Sequence, residues 1–346
     1  MDVFVDVPSN LSHSKINCTT DFLNIRAWYF IVEVFTAFFA VLGNIFICFV
    51  VVRNRKLRTV TNFFLVSLAV ADMLVGAVAI PCALLSDLGI PVCRYYLCVL
   101  MLCSILVLTQ ASIFGLFAVA VERYIAVLAP LRYRQLLTNR TTAMIIFGSW
   151  ALAVVIGLLP LMGWRKAATP NETCIFFNII DQAYMVYFNF ILCMLLPLVA
   201  MFVIYAKIFT EARRQIRRIA ERHINISVEE KRRRVVRKEL RTATSLFIIL
   251  FCFTLSWIPI HIINCIELFC PHYHIPTPLM LVTVVLSHAN SVVNPIVYVF
   301  RIRTFWDAFQ DLFPCLGLVG KHFKPGFTGM VQMAPLGNRC DVLPGN

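Results

Sequence analysis

Seven separate runs of mostly apolar residues, near 27–52, 60–86, 95–128, 141–163, 182–206, 242–269 and 276–300, constrain this chain more than any other feature. A helix needs about 20 such residues to cross roughly 30 Å of hydrocarbon, where every backbone polar group has to be satisfied internally. Of the 346 residues 60% are hydrophobic and 14% charged, and the mean hydropathy is +0.80, so lipid rather than water solvates much of the surface. The expected fold is an all-α membrane protein, a seven-transmembrane helix bundle. The third run exceeds the bilayer and has to tilt or protrude.

Orientation follows from lysine and arginine, because short loops carrying them stay in the cytoplasm. Of the 31 such residues only Lys15, Arg26, Arg94, Arg165 and Lys166 share the N-terminal side, which leaves 26 on the other face. The N-terminus is therefore expected outside the cell, with the chain crossing the plasma membrane seven times. The stretch before Arg26 is polar and has no apolar core beside a cleavage site, so the first run is expected to act as its own insertion signal. A net charge of +13 would suggest nucleic acid for a soluble protein. Here the basic clusters are juxtamembrane, where they fix topology and attract anionic lipid, and no nucleic-acid partner is expected.

The sequons at Asn10, Asn17 and Asn171 fall on the outer side and are expected to carry glycan; those at Asn139 and Asn225 fall inside and are expected bare. Cys98, at the outer end of the third run, and Cys174, in the loop before the fifth, both face oxidising conditions and can pair, tying that loop over the bundle. Cys18, Cys93 and Cys270 are left over, an odd number.

The chain divides into an outer tail over 1–26, a membrane domain over 27–300 with a basic inner loop at about 207–241, and a cytoplasmic segment over 301–346. The inner loop carries Arg213-Arg214, Arg217-Arg218 and Lys231-Arg-Arg-Arg234; it is expected to extend the fifth and sixth helices into water and to dock a cytoplasmic partner. Phe305, Trp306, Phe309, Leu312 and Phe313 recur at helical spacing among polar residues, which predicts an amphipathic helix in the interface. Cys315 follows it and is a candidate for palmitoylation.

Ionisable groups inside a bilayer are costly and are functional candidates by default. Asp72 lies in the second run, Glu33 in the first, and Glu122-Arg123-Tyr124 closes the third. No lysine or arginine lies at the depth of Asp72, so a bound cation with polar co-ligands is favoured over an ion pair. Around these residues stand Gly43-Asn44, Trp150, Pro197, Tyr205, Ser256-Trp257-Ile258-Pro259 and Asn294-Pro295-Ile296-Val297-Tyr298, each in its own run. With these motifs in order over nearly the whole chain, the sequence resembles the rhodopsin-like G-protein-coupled receptors.

That resemblance implies a receptor rather than an enzyme, a heterotrimeric G protein as cytoplasmic partner, and room for arrestin and a receptor kinase. It implies no organic cofactor and an allosteric sodium ion held by Asp72, Ser112, Asn290 and Asn294. It also implies a switch in which Arg123 pairs with Glu122 and, across the bundle, with Glu239, helped by Tyr124, Tyr205 and Tyr298. Glu122 replaces the commoner Asp of the motif and keeps the charge. Pro259 and Pro295 remove backbone donors and are plausible hinges.

Ile105 stands where amine receptors carry an Asp, and no lysine occurs between 276 and 300, so neither a cationic amine nor a retinal Schiff base is expected. A neutral set replaces them: Asn264, His261, Ser287, His288, Thr109, Gln110 and Asn189. The strings Ser256–Cys265, Leu286–Ser291 and Tyr184–Phe190 resemble those of adenosine receptors. By that likeness Asn264 meets the adenine edge, since an amide both donates and accepts, and Phe176 stacks on the ring. Met185 and Ile260 add apolar walls. Ser287 and His288 meet the ribose, Thr109 and His261 lie deeper near Trp257, and Glu33 steadies His288. One position departs: Phe177 stands where adenosine receptors usually have a Glu beside the exocyclic amine. Another purine or nucleoside is therefore the competing ligand class. The stretch Lys238–Leu246 and the short tail look more like the inhibitory-coupled than the stimulatory adenosine subtypes. A transporter would show repeats or broken helices at midplane, and His261 and His288 have no third metal ligand.

Overall fold

The computed structural model describes residues 9–92, 94–167, 173–221, 226–301 and 303–312. Among them seven helices are long and apolar enough to cross a membrane: α1 Asn24–Arg53, α2 Val60–Asp87, α3 Tyr95–Leu128, α4 Asn139–Gly157, α5 Tyr184–Arg218, α6 Glu239–Phe269 and α7 Thr277–Arg301. The first is helical from Ser9, the fifth continues to Glu221 and the sixth starts at Ile226, so the basic inner loop does extend both of its flanking helices. A shorter helix, α8 Arg303–Leu312, follows the last span and buries Phe305, while Phe309 packs edge-on against Phe46 of α1. Asn171, Asn225, Cys93, Phe313 and Cys315 lie outside the described residues, and for Asn10, Asn17 and Cys18 only the helical backbone is described.

Burial is arranged as lipid demands. Trp28, Phe35, Phe38, Phe39 and Phe147 are exposed on the helix surfaces, whereas Glu33, Asn44, Asp72, Ser112, Asn290 and Asn294 are buried between helices. With hydrocarbon outside, apolar side chains gain little by turning inward, and polar groups find partners only in the bundle. Trp150 of α4 donates to Ser67 of α2 at 3.0 Å, and Asn44 of α1 donates to the Ser291 carbonyl of α7 at 2.9 Å.

Two prolines explain the two wide-wound stretches. Proline has no N–H and its ring crowds the carbonyl four residues earlier. Pro81 follows a π-helical turn at Val75–Ala79, and Pro197 follows one at Tyr184–Leu195. The N–H of Ile80 reaches Val75 and that of Leu196 reaches Ile191, each a five-residue step. In contrast, α6 and α7 run through Pro259 and Pro295 as continuous helices.

Close helix approach requires small residues at several crossings. A Cβ on Gly43 would stand 3.0 Å from the Pro295 ring, and one on Gly157 would stand 2.5 Å from Val107 Cγ2 and 2.6 Å from the Val107 nitrogen. The α3 backbone cannot move aside without separating the pair. Gly157→Val is therefore expected to cost about 1–3 kcal/mol by overpacking. Lower surface expression and a lower melting temperature in detergent are the expected readings; wild-type values for both would refute the contact.

Candidate functional site

The helix halves at the end where the chain enters α1 enclose a cavity of about 810 Å³, counting its open mouth. Its lining follows helical arithmetic. From α6 come Trp257, Ile260, His261 and Asn264, at steps of three and four that keep them on one face. The same spacing brings Leu102, Ile105, Leu106 and Thr109 from α3, Met280, Val284, Ser287 and His288 from α7, and Ala83, Ser86 and Asp87 from α2. Met185 and Asn189 enter from the wide-wound part of α5.

Phe176 and Phe177 close the outer side from the loop before α5. A disulfide between Cys98 and Cys174 fixes that loop to the top of α3 two residues before Phe176. Lys166 donates to the Phe177 carbonyl at 2.7 Å, and Ser86 donates to the Cys174 carbonyl at 3.1 Å. Arg165 lies over the Tyr95 and Tyr96 rings, 5.4 Å from each centroid.

The cavity is apolar in area but presents unsatisfied polar atoms. Both ring nitrogens of His261, the Asn189 amide nitrogen and the Trp257 indole nitrogen are buried without partners. The Asn264 carboxamide, 2% exposed, has no hydrogen bond among the described residues. Each such group costs about 1–3 kcal/mol when left unpaired, so a ligand supplying donors and acceptors here is favoured well beyond its apolar contacts. The His261 ring is stacked on Phe190, centroids 4.4 Å apart, which leaves its edge for polar contact. Thr109 and Ser287 donate to carbonyls of their own helices, Ile105 and Val284, and keep oxygen lone pairs available. His288 Nδ1 lies 2.9 Å from the buried Glu33 carboxylate. That bond places the proton on Nδ1 and leaves Nε2 as the nitrogen open to a ligand.

Ten residues expected at a ligand site thus share this cavity: Asn264, Phe176, His261, Ser287, His288, Thr109, Asn189, Met185, Trp257 and Ile260. Glu33 steadies His288 from behind, as expected, and does not itself line the cavity. One expectation needs correction: Gln110 is turned away and buried with its carbonyl oxygen unpartnered. On α3 the stripe through Leu102, Leu106 and Thr109 faces the cavity, and the residue after Thr109 lies a quarter-turn off it. Asp87, Ser86, Met280 and Val284 were missed. Asp87, at the end of an apolar run, is not distinguished by sequence from a solvated carboxylate.

Below the cavity Asp72 is fully buried; its Oδ1 accepts from Ser112 at 3.2 Å and Ser291 at 3.1 Å, and its Oδ2 from Asn294 at 2.5 Å. Asn290 does not bond to Asp72, whereas Ser291, which was not foreseen here, does. The side-chain oxygens of Asn290 and Asn294 are buried and unpartnered. One carboxylate with hydroxyl and amide oxygens fits a hard monovalent cation.

At the inner end Arg123 donates from Nε to Glu122 Oε2 at 2.5 Å, from Nη1 to Glu239 at 3.0 Å, and from Nη2 to Glu122 and to the Thr61 hydroxyl. Glu122, 1% exposed, also accepts from Thr61 at 2.9 Å and from Tyr133 at 2.5 Å. Tyr133 sits in the short inner helix Pro130–Leu136, and its hydroxyl pKa is raised to about 12, first by burial and then by the bond to the Glu122 carboxylate. Tyr133 and Thr61 were not foreseen in this network. Tyr205 packs on Phe209 and Phe247, Tyr298 on Phe305, and Tyr124 against the apolar core; none of the three bonds to Arg123.

Residues 43–298 match the family model of the seven-transmembrane receptors of the rhodopsin family. The human adenosine receptor A2a is 42% identical over 298 residues, 82% of this chain and 71% of that protein. The chicken (Gallus gallus) adenosine receptor A2b is 41% identical over 309 residues, 83% of this chain and 88% of that protein. The horse (Equus caballus) adenosine receptor A2a is 41% identical over 330 residues, 91% and 79% of the two chains. A bundle of seven membrane-crossing helices, with buried polar clusters and a cavity at one end, is what these likenesses lead one to find; the chain belongs to the rhodopsin family of seven-transmembrane receptors and resembles its adenosine receptors.

Proposed function

We propose that this receptor binds adenosine in the outer cavity and that binding opens an inner cavity for a heterotrimeric G protein. The observation that carries the reading is the unpartnered Asn264 carboxamide facing the same apolar slot as Phe176. An amide matches the adjacent donor and acceptor of an adenine edge, and a Phe ring stacks on the base. Ser287 and His288 then meet the ribose, with Thr109 and His261 below. The names of the relatives support the same ligand.

In the resting bundle Asp72, Ser112, Asn290 and Asn294, with Ser291 beside them, hold a sodium ion, and Arg123 holds α3 to α6 through Glu239. The agonist favours the packing in which both contacts are lost, a population shift set by its differential affinity for the two states. The outer tail and the cavity face the cell exterior, following the basic bias of the opposite loops. Coupling is inhibitory toward adenylate cyclase, read from Lys238–Leu246, with stimulatory coupling as the alternative.

Phe177 favours a second reading, in which another purine or nucleoside is preferred, because the wall beside Phe176 offers a ring where an acid is expected. One experiment separates these readings: cAMP in intact cells expressing the chain, titrated with adenosine, inosine and adenine. Adenosine acting at the lowest concentration, with cAMP falling, is the expected result. Preference for inosine or adenine would replace the ligand, and a rise in cAMP would overturn the coupling assignment.

A further inference from the structure

Asp87 ends α2 on the wall of the ligand cavity, beside Ala83 and Ser86. It is half-buried, and its Oδ2 accepts the hydroxyl of the buried Tyr29 at 2.5 Å. No other hydrogen bond reaches this carboxylate among the described residues. One helical turn further along α1, Glu33 holds His288 in the same manner. A single face of α1 thus backs two cavity-lining residues, one on α2 and one on α7. The charged groups acting on Asp87 are Glu33, already engaged with His288, His288 itself and Arg26 near the outer end of α1. The carboxylate is held in place by one neutral donor and keeps acceptor capacity toward the cavity, whose other walls carry the unpartnered His261 and Asn264 groups.

We infer that Asp87 is an anionic subsite of this cavity, selecting nucleoside ligands that carry a protonated amine on an arm directed toward α2. The inference rests on the nucleoside reading proposed above and deepens it. Ile105 removes the acid at the α3 position and Phe177 the acid of the outer loop, so Asp87 is the cavity-lining carboxylate among the described residues. An ammonium reaching Oδ1 makes a charge-assisted bond, shorter and stronger than a neutral one. It is partly shielded from water by Tyr29 and the α2 wall.

The test uses adenosine bearing an aminoalkyl arm at C2, and a second derivative bearing it at the exocyclic nitrogen. Each is paired with its N-acetylated, uncharged counterpart in competition binding on membranes carrying the full chain. The readout is the amine-to-acetyl affinity ratio on one receptor, so a general change in affinity cancels. On the wild type a ratio of roughly ten or more is expected for one attachment point, falling to about one in Asp87→Asn. Asp87→Ser carries the same comparison if Asp87→Asn fails to reach the surface. Equal affinities on the wild type, or a ratio that survives both substitutions, would overturn the subsite while leaving the nucleoside reading intact. Failure of the wild type to bind adenosine or either amine would overturn both.

Discussion

Asn264→Ala is expected to abolish adenosine-driven signalling while the receptor reaches the cell surface in normal amounts. The carboxamide makes no hydrogen bond among the described residues, so its removal breaks nothing internal. The bound base loses two partners at once. A neutral hydrogen bond contributes about 0.5–1.5 kcal/mol and a stranded polar group costs about 1–3 kcal/mol, which together shift potency by roughly a hundredfold. Concentration–response curves for adenosine, with surface labelling on the same cells, make the comparison. Potency within a few-fold of wild type would remove Asn264 from the pocket.

Arg123→Ala is expected to leave agonist binding intact and to eliminate G-protein activation. Arg123 holds four oxygen partners on three elements, and Glu239, with a side chain 38% exposed, is the weakest anchored of them. Losing the guanidinium frees α6 but also strips the inner face of the group that a G protein would meet there. Glu122 is left buried with only the Thr61 and Tyr133 hydroxyls, and removing one partner of a buried pair typically costs about 3–5 kcal/mol, so lower surface yield is expected as well. Lysine cannot span the same partners from a single point, and Arg123→Lys should recover only part of the coupling. Nucleotide exchange on purified G protein, normalised to agonist sites, separates yield from coupling. Normal exchange in Arg123→Ala would sink the switch assignment.

Much of this was legible in the sequence because membranes make mistakes expensive. Seven spans followed from apolar length, and Asn264, His261, His288 and Asp72 stood out because a polar group in hydrocarbon needs a reason. What stayed hidden had no such contrast. Leu102, Leu106 and Val284 look identical whether they face lipid or a cavity. Asp87 sits at a span end, where a solvated carboxylate would be unremarkable, and Ser291 is small enough to bond to its own helix. Tyr133 lies in a short polar segment whose fold-back beneath α3 no periodicity announces.

The wide turns that precede Pro81 and Pro197 give α2 and α5 more residues than a regular helix would use over the same rise. Deleting one residue between 190 and 195 while the wide winding before Pro197 is kept would turn everything above it by roughly a quarter of a turn. Met185 and Asn189 would swing out of the cavity, with the span's hydrophobicity unchanged. In this helix register, rather than chemistry, is what ties the cavity end to the rest of the span. A gap or insertion in the stretch before either proline would therefore alter ligand choice more than most substitutions nearby.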